Sequence, residues 1–244
     1  MNPFRRRSPE PVLRIGHRGA PALEPENTLG SFEAAARCGV DFIEFDVVGR
    51  PDGVLVVAHS VRELVSGGPT LEEALAFFAR TPGVGAHVDV KCHGRGAQVA
   101  AALERHDLVG RTIASSSRFA TLRELRTGAP GLSVAITYPD DRFGIARRPI
   151  VAPLVVPTVA AMAKALPRRL PRWLAATGSR VAMLHYGVVS AGAIARCHAR
   201  DVAVWAWTVN DPALGDRLVR LGVDGIVSDD PRIIPAAAGE RLLH

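Results

Sequence analysis

The feature that most constrains this chain is an alternation that runs from one end to the other. Short β-branched runs take turns with stretches of helical period, and no linker interrupts them. The runs are Val12 to Gly16, Phe42 to Val47 with Val54 to Ala58, His87 to Lys91, Thr112 to Ser115, Ser133 to Thr137, Val181 to His185, Val202 to Thr208 and Gly225 to Ser228. Each is almost continuously apolar or β-branched, as a strand covered on both faces must be. The intervening stretches carry helix punctuation. Thr28 to Cys38 ends at Gly39, Thr70 opens a capping box with Glu73, and Pro212 to Leu221 ends at Gly222. Gly96 to His106, Phe119 to Thr127, Val188 to Arg200 and Pro231 to Leu243 complete the set. About eight strand–helix units predict an α/β fold with a parallel sheet, closed as a (β/α)8 TIM barrel, with an open doubly wound sheet as the alternative. One domain over 12–244 follows, preceded by a disordered lead-in over 1–11. A barrel of this kind places functional residues at the C-terminal ends of its strands.

Composition excludes several other classes. Of the 244 residues, 48% are hydrophobic and 22% charged, as in ordinary globular chains. No run of ~18 or more uncharged apolar residues appears, so no membrane span is expected. The N-terminus lacks the apolar core of a secretory signal. Cys38, Cys92 and Cys197 make no disulfide framework and no CxxC pair, which suits a reduced, cytoplasmic protein. The net charge of +6 is dispersed arginine, since only Lys91 and Lys164 are lysines. With 5% aromatics there are no stacking platforms between basic patches, so no nucleic-acid role is expected. The sign of the charge still suits anionic partners. One stretch breaks the rhythm. Arg147 to Leu174 holds five prolines between basic flanks, which argues against one long helix and for a loop plus a short helix. Its competing readings are an ordinary barrel connection and a peripheral contact with a membrane surface.

The expected strand ends gather chemistry. The first run ends in Gly16-His17-Arg18-Gly19. The second carries Glu44 and Asp46, two residues apart and so on one face. Paired inward carboxylates repel unless protonated or bound to a cation, and oxygen ligands suit Mg2+ or Ca2+; a solvent-facing pair is the plainer alternative. His59 closes VLVVAHS. Asp89 and Lys91 repeat the two-residue spacing on the next run. Two imidazoles for proton transfer, three carboxylates for a cation and two fixed cations for an anion are what hydrolysis of a phosphate ester requires.

The stretch GHRGAPALEPENTLGSFEAAARCGVDFIEFDVVGRPDGVLVVAHS resembles the signature of the glycerophosphodiester phosphodiesterase family. VDVK, VWAWTVND and GVDGIVSDDP are similar to later elements of that family, so the resemblance runs from about Ile15 to Pro231. It implies a TIM barrel that hydrolyses glycerophosphodiesters to glycerol 3-phosphate and an alcohol with a divalent cation, Mg2+ or Ca2+. It further implies His17 and His59 as the catalytic pair, Glu44, Asp46 and Asp89 as metal ligands, and Arg18 and Lys91 as phosphate-binding cations. Glu26, Asn27 and Trp207 become substrate-ordering residues, Trp207 serving equally well as a core aromatic. Asp229 reads as a helix cap. Three positions depart from the family pattern. Ser60 stands where Asp is usual, Asp89 where Glu is usual, and Ser115-Ser116-Ser117 lacks the usual aromatic. Only positions 60 to 88 separate His59 from Asp89, which removes most of the family's small insertion and implies a more open mouth. Alternatives of other kinds are a lysophospholipase D-like enzyme at a membrane surface, peripheral to the inner membrane face, and a degenerate barrel that binds phospholipid head groups without turnover.

Overall fold

The computed structural model describes residues 2–6, 10–60, 67–140 and 152–234. The strands are β1 (Leu13–Gly16), β2 (Phe42–Gly49), β3 (Leu55–Val57), β4 (Gly85–Val90), β5 (Thr112–Ser116), β6 (Ser133–Tyr138), β7 (Val181–His185), β8 (Ala203–Trp207) and β9 (Gly225–Ser228). The helices are α1 (Leu29–Arg37), α2 (Leu71–Arg80), α3 (Gly96–Arg105), α4 (Phe119–Gly128), α5 (Ala152–Thr177), α6 (Ala191–His198) and α7 (Pro212–Leu221). Eight strands pair in parallel, in the order β1-β9-β8-β7-β6-β5-β4-β2, and the β1–β2 pairing closes the ring. The exception is β3, which folds back antiparallel on β2. The expected (β/α)8 barrel is therefore observed, and each run named above falls on a strand.

Two cores result from the sheet's two faces. Outside, the helices bury apolar stripes against the strands; Phe32, Phe45 and Phe78 are wholly buried between α1, α2 and β2. Inside, Ile15, Ile113, Ala135, Val181, Met183, Ala203, Trp205 and Val227 fill the barrel. The lead-in differs from expectation. Phe4 is buried against Phe42 and Trp205 at the N-terminal end of the strands, and Asn2 donates to the carbonyls of Arg180 and Asp201, both at 2.7 Å. These residues order because Phe4 covers Trp205 and Asn2 bridges the carbonyls that precede β7 and β8. Positions 7–9 lie outside the described residues.

The proline-rich segment also corrects the expectation. Its described part is one 26-residue helix, α5, with Pro157, Pro167 and Pro171 inside it. An interior proline costs a helix about 3 kcal/mol. Here Leu166, Leu170 and Leu174, spaced by four, are buried against the barrel, and tertiary packing overrides local propensity. Residues 147–151 lie outside the described residues, as do 61–66 of the shortened insertion and all of the expected last helix beyond a 3-10 turn at Pro231–Ile233.

Candidate active site

The GHRG turn departs from β1 under tight steric limits. A Cβ on Gly16 would lie 2.3 Å from the Gly19 carbonyl oxygen, and Gly19 has φ +92°. Arg18 and Asn27 adopt φ 50° and 59°, a sparsely populated region for side-chain-bearing residues. That backbone strain is held by neighbours. The Asn27 N–H donates to the Arg18 carbonyl at 3.0 Å, and the Arg18 N–H donates to Glu44 Oε2 at 2.9 Å.

The expected residues come together at the C-terminal ends of β1, β2 and β4. Asp46 is the hub. It is 1% exposed, and Asn27 grips it twice at 3.2 Å, donating from Nδ2 to Oδ2 and accepting from the Asp46 N–H. Lys91 Nζ lies 3.0 Å from Asp46 Oδ1 and also contacts Asp89. Arg18 Nε lies 3.0 Å from Asp46 Oδ2, and Arg18 Nη1 donates to Glu26 at 2.8 Å. The hairpin turn through β3 returns the chain so that the Ala58 N–H donates to the Asp46 carbonyl. This delivers His59, whose Nδ1 is 2.8 Å from Arg18 Nη2 and 3.2 Å from Asp46 Oδ2. Arg18 is thus committed to three protein partners, and Asn27 and Glu26 act on Asp46 and Arg18 rather than on open space.

Glu44, Asp46 and Asp89 are all buried, and one oxygen from each lies within 4.8 Å of the others. The alternative of a solvent-facing pair is thereby excluded. Burial, reinforced by repulsion from Asp46, raises the Glu44 carboxyl to about 7. Asp46 goes the other way. Burial works to raise it, but Lys91, the His59 hydrogen bond and Arg18 outweigh burial and hold it well below the usual carboxylate range. Burial opposes the charge on Lys91 as well, and Asp46 and Asp89 overcome it, raising the ammonium above its ordinary value. A set of buried oxygens that leaves one carboxyl struggling to ionise fits a hard divalent cation.

Asp89 is steadied from below. Ser115 Oγ donates to Asp89 Oδ1 at 2.7 Å and lies 2.9 Å from His87 Nε2. Since Ser115 spends its one proton on Asp89, His87 donates to it from Nε2. Burial pushes His87 down to about 4, so it stays neutral. Neither Ser115 nor His87 carries a sequence signal beyond the inward alternation of β4 and β5. Trp207 stands across the mouth, 5.3 Å edge-on to His185, with its indole nitrogen buried and without a hydrogen-bond partner among the described residues. Cys92 points its thiol at the Val47 carbonyl, and His93 is exposed; neither joins the cluster.

His17 has no partner legible in the linear chain, and the structure supplies one. Its Nδ1 is 2.5 Å from Asp229 Oδ1, and its Nε2 is 3.9 Å from Glu44 Oε2. Asp229 is not the helix cap expected of it. Asp230 caps the following 3-10 turn by accepting from the Arg232 N–H. The two adjacent aspartates alternate in direction, so only one of them can turn inward.

Fold and charge inventory together define a class: a (β/α)8 hydrolase of phosphoric esters. More narrowly, the chain belongs to the glycerophosphoryl diester phosphodiesterase family, whose pattern matches residues 17–69 and 66–233. It is 25% identical to a glycerophosphodiester phosphodiesterase of Caldanaerobacter subterraneus subsp. tengcongensis, over 91% of this chain and 96% of the relative. It is 25% identical to glycerophosphodiester phosphodiesterase GDPD4 of Arabidopsis thaliana, over 91% of this chain and 71% of the relative. Its fold matches a phosphodiesterase of Oleispira antarctica solved with the product sn-glycerol-3-phosphate, at TM-score 0.69 and 21% identity, covering 91% of this chain and 95% of that one. The protein is a phosphoric diester hydrolase.

Proposed function

We propose that this chain hydrolyses glycerophosphodiesters to glycerol 3-phosphate and an alcohol, with His17 as base and His59 as acid. The observation that carries the reading is two imidazoles at a buried Glu44–Asp46–Asp89 cluster, with His17 Nε2 3.9 Å from Glu44 and His59 Nδ1 3.2 Å from Asp46. Those three carboxylates would hold a divalent cation, Mg2+ or Ca2+, which when bound would neutralise charge on the phosphoryl oxygens. Arg18 and Lys91 keep fixed positive charge beside that position, and their carboxylate partners prevent them from swinging away. The attacking oxygen belongs to water, or to the substrate's own glycerol hydroxyl, in which case the cyclic phosphodiester formed is opened to glycerol 3-phosphate by water in a second round of the same proton transfers. The attacking oxygen's proton passes to His17 as the new P–O bond forms. The P–O bond to the leaving alcohol breaks, and His59 returns a proton to that oxygen. A cavity of 350 Å³ lined by Ser117, Phe119, Thr137, Tyr138 and Trp173 lies one and two strands beyond Lys91 and offers room for the alcohol. The test is release of glycerol 3-phosphate from glycerophosphocholine with added Mg2+ or Ca2+, abolished by EDTA. No release with any head group would overturn the reading.

One observation favours action at a membrane surface. The described part of α5 has no acidic residue, and Lys164, Arg168 and Arg172 form an exposed line at four-residue spacing. Val156, near the start of the same helix, is 76% exposed. A basic face of this kind is attracted to anionic lipid, each cation contributing about 1 kcal/mol near the surface. Among the described residues no helix is long and apolar enough to cross a membrane. Co-sedimentation with phosphatidylserine vesicles at low salt, lost when the three cations are replaced by Glu, is the expected result. Absence of binding at low salt would exclude this contact.

A further inference from the structure

We propose that Asp229 and Asn210 are positioning residues that set the tautomer and direction of His17, and thereby make it the base of the pair. The proposal rests on the hydrolytic reading above and adds to it two residues from the segments that follow β8 and β9. His17 and Asp229 follow immediately on β1 and β9, which pair in parallel with Gly16 opposite Ser228. The His17 N–H donates to the Ser228 carbonyl at 2.8 Å, and the Ala22 N–H donates to the Asp229 carbonyl at 3.2 Å. The backbones on both sides of the contact are therefore tied together before the side chains meet.

The side chains then leave one arrangement. The Asp229 N–H donates to Asn210 Oδ1 at 2.9 Å, and Ser228 Oγ lies 3.2 Å from the same oxygen. Only the carbonyl oxygen of an amide accepts, so the amide cannot be flipped, and Asn210 Nδ2 must face Asp229 Oδ2, 2.5 Å away. That leaves Asp229 Oδ1 for His17. A carboxylate only accepts, so His17 Nδ1 carries the proton. In the neutral ring Nε2 then holds a bare lone pair, on the side of Glu44 and the carboxylate cluster. A base needs that lone pair and nothing else. His59 is held differently. Its Nδ1 lies between a pure donor, Arg18, and a carboxylate, Asp46, so no single neutral tautomer suits both neighbours.

The experiment compares Asp229→Ala, Asp229→Asn and Asn210→Ala with the parent chain by two independent readouts. The first is 15N NMR of the His17 ring in the metal-free protein, assigned by the signal missing from His17→Ala. The parent shows the Nδ1–H tautomer, and Asp229→Ala moves it toward Nε2–H. This readout needs no turnover. The second is kcat and KM on glycerophosphocholine with Mg2+ or Ca2+. Asp229→Ala and the isosteric Asp229→Asn lower kcat by ~10²- to 10⁴-fold, as loss of proton-transfer catalysis does, and leave KM within about threefold. Asn210→Ala lowers kcat about 10-fold by the same route. The proposal is overturned if His17 keeps the Nδ1–H tautomer in Asp229→Ala. It is overturned as well if both Asp229 variants, folded by circular dichroism, retain kcat within about twofold. A parent chain that releases no glycerol 3-phosphate defeats the hydrolytic reading and His17's role as base. The NMR shift alone then decides whether Asp229 orients the ring.

Discussion

The two histidines reach different members of one carboxylate cluster, His17 beside Glu44 and His59 beside Asp46, and their surroundings are unlike. His17 meets a single acceptor, Asp229, on the β8–β9 side, where Asn210 and Ser228 complete a small neutral-to-acidic network. His59 meets a crowd on the β2–β4 side, where Arg18, Lys91, Asp46 and Asn27 share charge and hydrogen bonds at short range. The first environment orients a ring. The second stores buried charge, and every member depends on Asp46. Buried ion clusters of this kind contribute little net stability when complete, yet cost several kcal/mol when one partner is removed.

The sharpest way to break the comparison is to remove the hub. Asp46→Ala should leave Lys91 and Arg18 without their shared carboxylate, destabilise the chain by about 3–5 kcal/mol in urea, and abolish turnover. Loss of turnover with unchanged urea stability would show that the crowded side is not an interdependent cluster. The histidines come next. His17→Ala and His59→Ala should each lower turnover by at least ~100-fold on glycerophosphocholine. With a p-nitrophenyl leaving group, which needs no protonation, only His59→Ala should recover. Equal recovery of both variants would dissolve the base–acid distinction.

A pH experiment sharpens the picture of Glu44. Its carboxyl sits at about 7 in the folded chain and at 4.5 when unperturbed, so between those values the folded state binds the extra proton. Stability of the metal-free protein is therefore greatest at the acid side of this window and falls as pH rises through it, by roughly 3 kcal/mol at most. Thermal scans in EDTA should show Tm dropping from about pH 5 to about pH 8, and Glu44→Gln should flatten the slope. A rising Tm would contradict the assigned direction. The smallest effect belongs to Ser115→Ala, which frees Asp89 Oδ1. Mg2+ or Ca2+ affinity by calorimetry should weaken about 10-fold, the low end for losing a supporting hydrogen bond.

Much of this site was legible in the linear chain because its parts follow strand periodicity. Glu44 and Asp46, or Asp89 and Lys91, share a face by the two-residue repeat, and β-branched runs mark where the strands end. Lys91 stood out as one of two lysines. Asp229 was hidden because it lies 212 positions from His17, next to another aspartate with equal claim to cap a turn. Ser115 and His87 were hidden because serine and histidine on an inward strand face have many ordinary uses. The three prolines of α5 misled in the opposite direction. Local cost argued for a break, and the leucine stripe at 166, 170 and 174 outweighed it.

The sequence by itself determined the alternation of strands and helices that a parallel barrel needs, and that Glu44 shares a face with Asp46 and Asp89 with Lys91, because these depend on local periodicity. The tertiary structure decided which inward groups meet. It put Asn210 and Asp229 behind His17, made Asp46 the shared partner of Arg18, His59 and Lys91, and seated Phe4 beneath Trp205. These pairings arise only when the sheet closes on itself, because closure brings the first strand against the last and leaves their side chains in one buried, low-dielectric mouth.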